Sequence, residues 1–217
     1  VTFDDSAPNP IIVDPATVFG DALSGVKMLT ILAEDSDTTV EMTAAQFDQL
    51  EGIGTVDVEE GVSAATGKPF KATLVLTDPA PDQEIDLDSV DGDATVVIRV
   101  DGITAEEDMA IINGSATLEV AGGDNDLTEA DLEAIENVHF TAHNSSLTLT
   151  AAQVAAIGTA DGDGDDIADA WSALAGLTNV TLNIVDLSTE ELFLNNVAAA
   201  GINIGTITLA DTNGLIV

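Results

Sequence analysis

Apolar and polar residues alternate with a period of two through Thr73-Leu74-Val75-Leu76-Thr77, Thr95-Val96-Val97-Ile98-Arg99-Val100, Thr181-Leu182-Asn183-Ile184 and Thr206-Ile207-Thr208-Leu209. Such alternation, rich in β-branched residues, predicts half-buried strands. Shorter stretches between strands follow a different rule. A Ser or Thr at a capping position precedes a few helix formers, with apolar residues three or four apart, as at Leu132 and Ile135. These predict one or two helical turns.

The two patterns combine into a loose repeat. TVEMTAAQFDQLEGIGTVDV (39–58) aligns with SLTLTAAQVAAIGTADGDG (146–164) through a short strand, Thr-Ala-Ala-Gln, an apolar residue, Leu or Ile three residues later, and Gly. Weaker copies lie at 102–120, 126–142 and 188–209. The unit is a strand, a short helix, a Gly or Asn stop and the next strand, recurring roughly every twenty-odd residues with insertions. A unit this small cannot bury its apolar face alone, but stacked neighbours can. The expectation is a mainly β fold, a parallel β-solenoid with short helical turns, similar in plan to leucine-rich repeats; a β-sandwich with short helices is the alternative.

Residues 1–25 read differently from 26–217. Pro8, Pro10 and Pro15 favour extended backbone and remove ladder donors. This stretch is expected to be an extended arm or linker. In the sharper version Ile11, Ile12 and Val13 add a strand to a neighbouring subunit's sheet. The remainder is one acidic β-rich repeat domain.

Composition refines this picture. Hydrophobic residues make up 45% of the 217 residues and mean hydropathy is +0.26, so the chain can bury a core. Aromatics are only 3%, so that core must be built from small aliphatics in thin layers. Forty acidic residues face four basic ones, Lys27, Lys68, Lys71 and Arg99, for a net charge of −36. Such a chain repels nucleic acid and anionic membrane, and it repels itself unless cations screen or bind the charge. No cysteine is present, which removes disulfides and thiolate metal sites. No apolar run approaches the ~20 residues of a membrane span.

The sharpest local signal is Asp161-Gly162-Asp163-Gly164-Asp165-Asp166-Ile167-Ala168-Asp169. Carboxylates at relative positions 1, 3, 5 and 9 of a glycine-containing turn suit Ca2+, a hard cation that takes six to eight oxygen ligands. Ile167 would offer its backbone carbonyl. Like charges so close need a cation between them. Asp124 and Asp126, in Gly122-Gly123-Asp124-Asn125-Asp126, form a softer candidate. There, capping of a helix beginning near Thr128 competes with ligation. Asp91-Gly92-Asp93 and Asp35-Ser36-Asp37 read as polar turns.

The 161–169 stretch resembles the calcium loop of thrombospondin type 3 and dockerin-like modules, a DxDxDGxxD relative of the EF-hand. The resemblance implies Asp161, Asp163, Asp165 and Asp169 as ligands and a packed Trp171 after the loop. Asp166 stands where that family has Gly, and Ser172 where it has a bidentate Glu. Across 26–217, the TAAQ-containing repeats and the acidity resemble giant calcium-dependent adhesins and S-layer proteins exported by bacterial type I secretion, without their GGxGxDxUx nonapeptide.

The catalytic inventory is thin. His139 and His143 sit four apart on a strand-like stretch, about 13 Å from each other. No GxSxG, P-loop or strand-linked GxGxxG occurs. The expectation is a non-enzymatic, extracellular, calcium-binding structural protein. It would self-assemble through calcium and the N-terminal arm into a surface layer, filament or adhesin stalk, with a glycan- or ice-binding adhesin module as the alternative.

Overall fold

In a computed structural model, residues 2–3, 11–12, 28–49, 55–91, 93–103, 109–157, 170–187 and 194–209 are described. Successive strands of the chain stack onto earlier ones, with a first face filled over residues 2–112, a second over 11–173 and a third over 124–209. The first face carries β1 (Thr2–Phe3), β3 (Met28–Ala33) and β5 (Thr55–Glu60) in one sheet, and β7 (Glu84–Asp86) and β9 (Ala110–Ile112) in another. A seven-stranded sheet forms the second face: β2 (Ile11–Ile12), β4 (Thr38–Thr43), β6 (Ala72–Thr77), β8 (Thr95–Asp101), β10 (Ala116–Gly122), β12 (Ile135–Phe140) and β14 (Trp171–Ala173). The third face holds β11 (Asp124–Asp126), β13 (Ser146–Thr150), β15 (Thr181–Leu187) and β16 (Asn203–Leu209).

Every pairing between these strands is parallel. Each strand of the second face after β2 pairs with the strand numbered two before it, so one turn of the chain separates them. This is the expected parallel β-solenoid; an immunoglobulin-type sandwich pairs its strands antiparallel. Coil length varies as the repeat suggested. Arg99 faces Glu119 twenty residues later and Asp124 faces Ser146 after 22, whereas His139 faces Ser172 after 33 and Thr148 meets Asn183 after 35.

The alternation read from the sequence is the alternation of the coil wall. In β10, Ala116, Leu118 and Val120 are buried while Thr117 and Glu119 are half-exposed. Inward residues stack from coil to coil: Met42, Leu76, Ile98, Leu118, Val138 and Trp171 stand in successive register on the second face. A column of this kind fills a narrow interior with Val, Ile and Leu, and tolerates the scarcity of aromatic residues.

The corners between faces use residues that accept left-handed backbone. All described non-glycine residues with positive φ are Asn or Asp, the types whose short polar side chains stabilise that conformation. Asn144 (φ 55°) and Asn179 (φ 58°) stack, the Asn179 amide donating to the Asn144 side-chain oxygen at 2.8 Å. Gly123 (φ 60°) packs on Gly102, where a Cβ would lie 2.7 Å from the Gly102 Cα.

Both TAAQ motifs are capping boxes. Thr43 caps α1 (Ala44–Asp48): its Oγ1 accepts from Gln46 N at 3.2 Å, and its own N donates to Gln46 Oε1 at 2.8 Å. Thr150 and Gln153 repeat this at α2 (Ala151–Ile157), at 3.2 and 2.7 Å. The two motifs lie on different faces, one after β4 and the other after β13. The shared sequence marks a way of leaving a strand rather than one position in the coil. A third short helix, α3 (Asn195–Ala199), precedes β16.

One expectation is revised. No helix begins near Thr128; turns and a bridge occupy 128–134, and β12 starts at Ile135. Asp126 Oδ1 takes the Thr128 N–H, and the N–H groups of Asp131 and Ala134 donate to Met109 and Ile111 of the preceding coil. Coil-to-coil pairing thus claims the donors that a helix needs. Near the N-terminus, Ile11–Ile12 pairs with Val40–Glu41 of its own chain, and Thr2–Phe3 with Thr30–Ile31. Within the single chain these pieces extend the first and second faces.

Candidate functional site

The acidic segment is strung between two fixed points of the solenoid. On one side α2 ends at Ile157, which is buried, as are Ala151 and Val154 of the same helix. On the other side Ala170 and Trp171 are buried, with Ala170 O accepting from Val138 N at 2.6 Å and Trp171 in register with Val138. The packed tryptophan implied by the resemblance is present. Asp161, Asp163, Asp165, Ile167 and Asp169 themselves lie outside the described residues.

Ser172, at the position where the resembled loop has a bidentate carboxylate, is in β14, and its Oγ lies 2.7 Å from His139 Nδ1. His143, at the next corner, meets Thr178: its Nδ1 accepts from the Thr178 N–H at 3.0 Å, which places the proton of a neutral ring on Nε2. The two histidines do not share a site. Each ties the coil before the acidic segment to the coil after it.

Asp124 and Asp126 are on β11, both on its outer side, with Asn125 between them buried in the wall. Asp124 Oδ1 accepts from Ser146 Oγ at 2.8 Å. Asp126 Oδ1 accepts from both N and Oγ1 of Thr128, at 3.1 and 2.9 Å. Asp126 thus closes a turn at Thr128, where the sequence reading placed the start of a helix. Asp91 acts in the same way toward Asp93 N, Asp86 toward Asp88 N and Asp131 toward Glu133 N. These four aspartates therefore close corners, as Asx turns do. Among the described residues, no group of three or more His, Cys, Asp or Glu side chains is arranged to hold a metal.

Two structural residues escaped the sequence reading. Asn125 donates from Nδ2 to Gly122 O at 2.7 Å and Ser146 O at 3.2 Å, and accepts from Ile103 N at 3.1 Å, so one buried amide ties three coils together. Arg99 is bound by Glu119 at 2.8 Å and Glu41 at 2.9 Å. Burial opposes its charge, but the two carboxylates outweigh burial and its pKa is raised further. The only sequence clue was the rarity of basic residues: an arginine inside a strand of so acidic a chain needs acidic neighbours.

No protein-family model, curated protein or solved structure matches this chain.

Proposed function

We propose that the protein is an extracellular, calcium-stabilised structural module, a building block of a surface layer, filament or adhesin stalk. The observation that carries this reading is the acidic sequence between Ile157 and Ala170, both of which are buried. Five aspartates fall within nine residues of a chain whose net charge is −36. Four basic residues cannot neutralise forty acids, and Arg99 is already engaged by two of them. A divalent cation held by Asp161, Asp163, Asp165 and Asp169, with the Ile167 carbonyl, removes the densest repulsion and closes a loop whose two ends are packed into the core. Binding to the folded loop only is then a contribution to folding. A stack of coils suits a spacer or lattice element, because its length grows by adding units without redesign of a core.

Calcium titration followed by calorimetry tests the reading. The intact chain should take up calcium, and Asp163→Asn with Asp165→Asn should abolish the tightest event. Uptake that is unchanged in this double variant would remove the 161–169 segment from the account.

A further inference from the structure

We infer that the outer surface of β13, β15 and β16 is a self-association surface that takes a second copy of this chain. The inference deepens the self-assembling role proposed above by naming the surface.

Charge is distributed very unevenly. Thirty-one of the forty acidic residues, and all four basic ones, lie within residues 1–136. From 137 to 209, among the described residues, Asp186 is the one carboxylate side chain. The five aspartates of the 161–169 segment account for most of the acids that remain. The described strands after residue 136 are therefore much less charged than those before it.

The third face of these later coils is lined mainly by hydroxyl and amide groups, with Asp186 exposed near the end of β15. Thr148 and Thr150 point outward from β13, Thr181 and Asn183 from β15, and Thr206 and Thr208 from β16, while Leu147, Leu149, Leu182 and Ile184 face the core. Beside them β16 is the last strand of its sheet, and its Ile207 is 42% exposed.

Two chains of net charge −36 repel wherever their acids approach. Contact is then favoured only where carboxylates are missing, and interface centres are depleted of charge for the same reason. Rows of Thr and Asn present donors and acceptors together, so an identical row turned through a two-fold axis can satisfy them. Other occupants fit less well. Among the described residues the face has no aromatic platform for a sugar ring. An ice-matching array needs regular spacing, whereas the β15–β16 register shifts between Leu182 and Ile184 and again before Leu187. From strand spacing and rise, three strands of five to seven residues cover about 300 Å² per copy. A stable complex buries about 800 Å² per partner, so one such contact is weak and gains strength in arrays.

Sedimentation equilibrium of the full chain in calcium, up to about 1 mM, tests this. Thr206→Glu places a charge on the face at an exposed position, and Thr95→Glu places the same charge at an exposed position on the second face. The expected result is a concentration-dependent dimer that tightens as salt rises, because screening relieves the distant repulsion. Thr206→Glu should weaken it about tenfold or more while Thr95→Glu leaves it unchanged, both variants keeping the parent's circular dichroism. A monomer at every concentration overturns the inference. So does a dimer equally weakened by both variants, or a face that binds neutral glycan or ice without dimerising. The comparison is between variants at fixed calcium, so a failed calcium claim leaves its outcome readable.

Discussion

The Arg99 guanidinium reaches Glu41, 58 residues earlier in the chain, with Nη1 2.9 Å from Oε2. β6 lies between the strands that carry them, and its outward-facing Val75 is only 4% exposed. On the other side Arg99 Nε holds Glu119 at 2.8 Å, and Thr141 Oγ1 donates to the same carboxylate oxygen at 3.3 Å. One cation thus staples four strands of the second face. Replacing Arg99 by Met keeps the stem and removes the charge, leaving two half-buried carboxylates side by side. The expected cost is about 1–2 kcal/mol, since the pair is part-exposed and screened. Urea unfolding should show it, and Arg99→Lys should restore part of it because a lysine engages one carboxylate at a time.

The second capping box also reaches its neighbour. Gln153 closes the box, and its Nε2 donates to Leu127 O at 2.8 Å and Ala130 O at 2.7 Å in the preceding coil. Thr43→Ala should therefore cost about 1 kcal/mol, the usual worth of a cap. Gln153→Ala should cost about 2–3 kcal/mol, because it strands two carbonyls as well. Chemical denaturation of the two variants side by side checks the order. Equal losses would mean that the contact between coils contributes nothing.

Gly61 follows β5, and its N–H donates to Ala33 O at 2.9 Å. A Cβ there would lie 1.8 Å from the backbone oxygen of Glu34. Backbone cannot swing aside as a side chain can, so Gly61→Ala must push two coils apart. The expected loss is about 3 kcal/mol or more. Gly67, in a turn at φ 67° with open space around it, is the contrast: Gly67→Ala should cost about 1 kcal/mol, from backbone strain alone. Thermal melts of the two variants should separate clearly.

Much of the fold was legible in the chain. Alternation marked β6, β8, β15 and β16, because a coil wall has one wet side and one dry side. The Thr-Ala-Ala-Gln repeat marked two real capping boxes, because a cap is a local device with a fixed spacing. The 126–134 stretch was not legible as turns. Its helix-forming composition is overridden by hydrogen bonds to Met109 and Ile111, and such long-range pairing leaves no local trace. Asn125 was equally hidden, since a lone Asn in an acidic turn looks like any other polar residue until its amide is seen inside the wall. Around the acidic segment, the sequence pointed to the aspartates. The frame that holds them, with Ile157, Ala170 and Trp171 buried and Ser172 beside His139, emerged only from the coil register.

The central claim is that calcium at 161–169 supports the fold, and a thermal melt at low ionic strength tests it most directly. With calcium at a hundredfold excess over its dissociation constant, linkage adds about 2.7 kcal/mol, which for a chain of this size raises Tm by roughly 5–10 °C over the chelated protein. Asp163→Asn with Asp165→Asn should erase that difference. A Tm that is the same with calcium and with EDTA would contradict the claim.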